Sequence, residues 1–361
     1  MGQRRDINRS VLLGLAVGDA MGHTVDRRSL EEIRNDYGPN GLLGYDLVNG
    51  YADITSYTQL AAFTANGLLL GLTKGQTKGR IYSNVRYISM AIREWSLSQS
   101  FNLPEKKYCW LSHVPQMRRK FCMDNRMLDA LSRETLGSLD DIQYRSDHPG
   151  SLTTVVPLVL LQQDLELPQE ELNRLGAETI ALTHGEPEAY ITGAAFTHLL
   201  SLLLREPHAS MSELVQHTID AVSKQFTQSV RLWDLLQQAL TLAVSPDVAP
   251  VEAMQTLGCR TAAEALAGAV YAVCTCGRDF DTAMITAVNH SGRSSAVGAL
   301  AGAMLGAILG DEALPEFYLE SLEAAPFITE LADDLAAGFS DMVGLSLFDV
   351  DWERKYVYAG K

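Results

Sequence analysis

The chain has 361 residues, 47% hydrophobic and 20% charged, an ordinary globular composition with enough apolar side chains for a large core. Its 44 Asp and Glu against 29 Lys and Arg give a formal net charge of −15. That balance argues against non-specific binding to nucleic acid or anionic membranes, since both need net attraction to phosphate. Five cysteines form no disulfide framework, with Cys274 and Cys276 one residue apart rather than in a CxxC pair, so a reducing, cytoplasmic compartment is expected.

The opening MGQRRDINRS carries charge but no apolar segment leading to a cleavage site, so no signal peptide is expected. Helix signals begin at once: Val11, Leu12, Leu15 and Ala16 follow the i, i+3, i+4 spacing of a buried helix face. Ser29 to Glu32 has capping-box spacing, and Tyr37-Gly38-Pro39 stops the helix that Ser29 opens. Periodic apolar runs follow near 58–72, 169–183, 187–205, 211–224, 228–244, 261–277, 281–289, 295–309 and 326–338, with a second capping box at Ser210 to Glu213. The one β-looking run, 153–161, is interrupted by Pro157. With no regularly spaced strands, no repeat and no long linker, the reading is all-α: a single compact multi-helix domain over 1–361.

The most apolar stretch, Ala296 to Gly310, has 15 residues, short of the roughly 20 that a membrane span needs. Within it Gly298, Gly302, Gly306 and Gly310 recur every four residues, a side-chain-free ridge that predicts close approach of a neighbouring core helix. Charge is unevenly spread. Residues 74–133 hold twelve Lys and Arg against four Asp and Glu, whereas 311–341 hold nine acids and no Lys or Arg. Two solvated faces of opposite sign that attract each other are expected, the alternative being a basic surface for an acidic ligand.

Three segments in order resemble the ADP-ribosylglycohydrolases, the family of dinitrogenase reductase-activating glycohydrolase. The first is Gly14-Leu-Ala-Val-Gly18-Asp19-Ala20-Met21-Gly22, continuing into Ser29 to Ile33 and Tyr37-Gly38-Pro39. The second is Thr183-His184-Gly185 with Pro187 and Ala189. The third runs from Ala287-Val288-Asn289 through Gly292 and the glycine ridge to Leu314-Pro315. The resemblance covers about residues 8–325 and implies an all-α enzyme that removes ADP-ribose from proteins or small molecules with two magnesium ions.

The metal motifs depart from that pattern. The family's Thr-Asp-Asp-Thr reads Thr55-Ser56-Tyr57-Thr58 here, and its Gly-Gly-Asp-x-Asp-Thr reads Ser291-Gly292-Arg293-Ser294-Ser295-Ala296. Of the six residues that the resemblance makes metal ligands, only Thr55 remains. Magnesium wants hard, preferably anionic oxygens, and a fixed cation about 4 Å from a dication costs roughly 8 kcal/mol at an effective dielectric constant of 20. No metal ligand and no cofactor are therefore expected.

Arg293 at a helix N-terminus needs a negative partner: Asp19, Asp26, or the diphosphate of a bound nucleotide. Asp26 matches the position of the family's acid near the scissile bond and is the candidate catalytic residue. Thr55, Ser56, Tyr57, Asn289, Arg293 and Ser295 are the candidate ligand-cleft residues. Of the dispersed histidines, His184 reads as a capping or core residue, while His23 and His290 flank the two altered motifs. Trp95 and Trp110 could stack a base but read as packing, and Tyr57 could plug the cleft. The expected function is that of a catalytically eroded family member, a pseudo-enzyme that binds ADP-ribose or a related small molecule. The alternatives are metal-free hydrolysis through Asp26 and a purely structural or interaction role.

Overall fold

Helices follow the apolar periodicity closely in the computed structural model, which describes residues 2–78, 84–99, 107–121, 124–228, 230–310, 314–342 and 350–359. The first part contains α1 (Gly2–His23), α2 (Leu30–Tyr37), α3 (Ser56–Lys78), α4 (Asn84–Gln99) and α5 (Asn125–Ser132). Then come α6 (Val156–Leu160), α7 (Gln162–Leu165), α8 (Gln169–Ala181), α9 (Pro187–Arg205), α10 (Met211–Gln225), α11 (Leu232–Ala243) and α12 (Pro250–Leu257). The last part is α13 (Ala262–Cys276), α14 (Phe280–Val288), α15 (Ser294–Leu309), α16 (Glu316–Ser321), α17 (Ala325–Met342) and α18 (Val350–Tyr356). Among the described residues there is no strand, only two isolated bridges, Val48 with Tyr51 and Ala52 with Leu322. No described helix is long and apolar enough to cross a membrane.

The run 153–161 that reads as β is helical: a 3-10 helix over Pro149–Val155 passes directly into α6, with Pro157 in its first turn, where a missing N–H costs nothing. Ser29 closes its capping box with Glu32 as expected. Ser210 does not, because its hydroxyl pairs with Ser212 and makes no cap bond. A further capping box joins Thr261 and Glu264 at the head of α13.

α1 and α15 form the centre, and glycine explains how. A Cβ on Gly14 would lie 2.3 Å from the Gly302 carbonyl oxygen, one on Gly18 1.9 Å from that of Gly298, and one on Gly22 2.3 Å from that of Ser294. The two backbones therefore touch, and two of the recognisable motifs are opposite faces of one contact. Gly306 extends the ridge against Ser10, but Gly310 does not belong to it: with φ +73° and nothing near its missing Cβ, it ends α15. The closeness fixes the C-terminal end of α1 beside the N-terminal end of α15.

The oppositely charged regions meet where the Arg119 guanidinium binds both Asp53 and Glu323, the latter at 2.7 Å. Cys122, residues 79–83 and 100–106 of the basic stretch and 311–313 of the acidic one lie outside the described residues.

Candidate functional site

Four hydrogen bonds make Asp19 the cap of α3. Its buried carboxylate accepts from the backbone N–H groups of Thr55 (2.8 Å) and Thr58 (3.1 Å) and from both hydroxyls at 2.6 Å. A carboxylate at a helix N-terminus is favoured by the unpaired N–H groups and the dipole there. Burial pushes the Asp19 carboxyl up, and these hydrogen bonds pull against it. The arrangement brings residues 55–57 to the end of α1, and it commits the Thr55 hydroxyl as a donor to Asp19.

Asp26 follows in the turn after α1. Its Oδ1 accepts from the Ser295 N–H at 3.3 Å; its Oδ2 lies 3.3 Å from Arg27 Nε and 3.8 Å from Arg293 Nη1. Arg293 is the N-cap residue of α15 and makes no side-chain cap bond. The negative partner it requires is thus Asp26, and Asp19 is occupied elsewhere. Burial raises the Asp26 carboxyl, opposed by the guanidinium groups of Arg293 and Arg27.

Beside this ion cluster opens a pocket of about 220 Å³. Asp26, Arg27, His23 and Ser295 form one wall; Thr55, Ser56, Tyr57 and Leu60 of the α3 region form a second. Trp95, Phe121, Asp124, Met127, His148, Gly150 and His184 complete it. His148 Nδ1 accepts from the Gly150 N–H at 3.1 Å, so the proton of its neutral ring is on Nε2. His184 Nδ1 shares the hydroxyls of Ser151 (3.0 Å) and Thr183 (2.9 Å). The two imidazoles stack with centroids 6.3 Å apart. Burial, then the nearby Arg293, lowers His148 to about 3, and burial lowers His184 to about 4, so both are neutral at pH 7.

Of the residues singled out by sequence, Asp26, Thr55, Ser56, Tyr57 and Ser295 share this pocket. Tyr57 is 6% exposed and forms wall rather than plug. Arg293 stands behind Asp26, outside the lining, with its Nη1 buried and without a hydrogen-bond partner. Asn289 is elsewhere: its Oδ1 accepts from the Leu42 N–H at 2.8 Å and its Nδ2 donates to the carbonyls of Leu42 and Ile285. It pins the 41–42 loop, and a Cβ on Gly41 would strike its amide at 2.1 Å. Likewise, among the described residues, the His290 ring bonds only to its own turn, through Ala287 and Gly292. His184, read as core, is 1% exposed yet lines the pocket. No local sequence signal marks Arg27, His148, Asp124 or Phe121, because the segments carrying them converge only in the fold.

The family model for ADP-ribosylglycohydrolases matches residues 2–342. The chain belongs to the ADP-ribosylglycohydrolase family. Its fold is similar to that of a solved structure titled "ADP-ribosylglycohydrolase-related protein complex", with a TM-score of 0.60 and 23% identity, covering 93% of this chain and 99% of that one. No curated protein matches the sequence.

The residues present do not fit the magnesium pair that the ADP-ribosylglycohydrolase resemblance implies. At the six matching positions stand Thr55, Ser56, Tyr57, Arg293, Ser295 and Ala296, with no carboxylate among them. Hydroxyl donors alone do not offset the dehydration of a hard dication. The carboxylates beside these positions are already engaged: Asp26 lies between two guanidinium groups, and Asp19 accepts four hydrogen bonds from Thr55 and Thr58. Among the described residues no three His, Cys, Asp or Glu side chains converge as a metal site.

Proposed function

We propose that this family member binds an ADP-ribosyl compound without magnesium and does not hydrolyse it by a metal-dependent route. The observation that carries the reading is the Asp26–Arg293 pair, at 3.8 Å, beside an open pocket. Positive charge that metals would supply is replaced by fixed guanidinium groups, which attract anionic ligands but do not activate water. Asp26 serves as the counter-charge that holds Arg27 and Arg293 in place, rather than as a general acid. Ser56 offers a hydroxyl to a sugar and the neutral His148 adds a donor, while the hydroxyls of Thr55 and Ser295 donate to Asp19.

Loss of hydrolysis with retained binding makes this a pseudo-enzyme, acting as a sensor or sequestering protein for ADP-ribosyl groups. The free thiols of Cys109, Cys259, Cys274 and Cys276 support a reducing compartment, the cytoplasm. Release of ADP-ribose from a modified protein, followed by mass spectrometry with and without magnesium, tests the reading. No release is expected in either case, and magnesium-dependent turnover would refute it.

A further inference from the structure

We infer that Arg27 is a phosphate anchor at the mouth of this pocket, so that the compound bound is a ribosyl phosphate or diphosphate with its sugar inside and its anionic group on the Arg27 guanidinium. The inference rests on the ADP-ribosyl reading above, and it names the group that this chain's own residue recognises.

Arg27 lies in the turn after α1 at φ +65°, a left-handed conformation that glycine adopts freely and arginine rarely. Its N–H donates to the Gly292 carbonyl at 3.2 Å, which ties the turn to the loop that precedes α15. The backbone is therefore held in an unfavourable state by two elements at once, as is common where a side chain must be aimed. That side chain is 53% exposed and lines the pocket.

Its Nε faces Asp26 at 3.3 Å, and no described residue takes Nη1 or Nη2. With its Nε edge ion-paired to Asp26, the guanidinium presents its two terminal nitrogens as a fork, which can hold two phosphate oxygens at once. Asp26 is then a positioning residue. It sets the angle of Arg27 from one side, while the more buried Arg293 sits 3.8 Å from the same carboxylate.

The pocket's size and chemistry divide the ligand accordingly. At about 220 Å³ it is smaller than the roughly 300–1,000 Å³ that encloses a drug-sized molecule, so ADP-ribose would remain partly outside. Inside are hydroxyls and neutral imidazoles, which suit a sugar. Phe121, Asp124 and Met127 of the lining belong to the stretch 74–133, which carries twelve basic residues against four acidic ones.

Calorimetric titration of ADP-ribose and of ribose 5-phosphate into wild type, Arg27→Gly and Arg27→Lys tests the assignment, with a thermal melt of each protein. Arg27→Gly is expected to weaken both ligands by roughly tenfold or more, with a melting temperature equal to or above wild type because glycine accepts the turn. Arg27→Lys, a point charge without the fork, is expected to recover only part of the affinity. Wild-type affinity in Arg27→Gly would overturn the inference while leaving the ADP-ribosyl reading intact. Arg27-dependent binding of ribose 5-phosphate without binding of ADP-ribose would do the reverse. Binding of neither by wild type would overturn both. Lost binding with a melting temperature well below wild type in both variants would make Arg27 structural, and would also overturn it.

Discussion

Gly18→Ala probes the contact on which the whole site depends. The added methyl would sit 1.9 Å from the Gly298 carbonyl oxygen, backbone against backbone, with no side chain able to rotate away. Ordinary contact needs about 3.4 Å, so α1 and α15 would have to separate by about 1.5 Å. That movement also loosens the Gly14–Gly302 and Gly22–Ser294 approaches in the same crossing. Overpacking of this kind costs about 3 kcal/mol at the upper end of its usual range, and the better helix propensity of Ala returns about 1 kcal/mol. The net loss is about 2 kcal/mol or more. With an unfolding entropy of roughly 2 cal/mol/K per residue, the melting temperature should fall by about 3 °C or more. Gly44→Ala, where nothing lies within 4 Å of the added methyl, is the control and should change little. A Gly18→Ala protein as stable as wild type would refute the backbone contact, and with it the placement of Asp26 beside Ser295.

Other substitutions separate support from ligand contact. Asp19→Ala strands four buried donors on Thr55 and Thr58, which should cost several kcal/mol in a denaturant melt; a change below about 1 kcal/mol would contradict the capping role. Asn289→Ala should destabilise by about 2 kcal/mol through the freed Leu42 groups yet leave ligand affinity unchanged, and a loss of affinity at full stability would return Asn289 to the site. His184 and His290 have folded pKa values lowered by burial to about 4, against about 6.5 unfolded, so below pH 6.5 the unfolded chain binds protons that the folded one refuses. Stability should be flat above pH 6.5 and fall by roughly 3 kcal/mol per imidazole as pH drops to 4; constant stability across that window in melts at several pH values would count against neutral buried rings.

Much of the framework was legible because its signals are local. The four-residue glycine period announced a close approach, and Gly14, Gly18 and Gly22 carry the same period in the partner helix, so both halves of the contact stood in the sequence. The absent carboxylates at 56, 57, 293 and 295 could be read in the same way, as could the need of Arg293 for a negative partner. What stayed hidden depends on long-range convergence. His148, Phe121 and Asp124 come to the pocket on irregular segments whose paths no periodicity records. Asn289 was a cleft candidate because it matches the family's C-terminal block, but it acts as the structural Asn common before a turn and faces the 41–42 loop. The run 153–161 has the Val and Thr content that suits strands, but Pro157 argues against one, and the segment is helical as the all-α reading requires.

Titration of ADP-ribose into the protein in EDTA, repeated in millimolar magnesium, tests metal-independent binding most directly. A site in which Arg27 and Arg293 supply the positive charge should give the same dissociation constant in both buffers. Binding that appears only with magnesium would contradict it and would restore a metal site that Thr55, Ser56, Tyr57, Arg293 and Ser295 have no carboxylate to form.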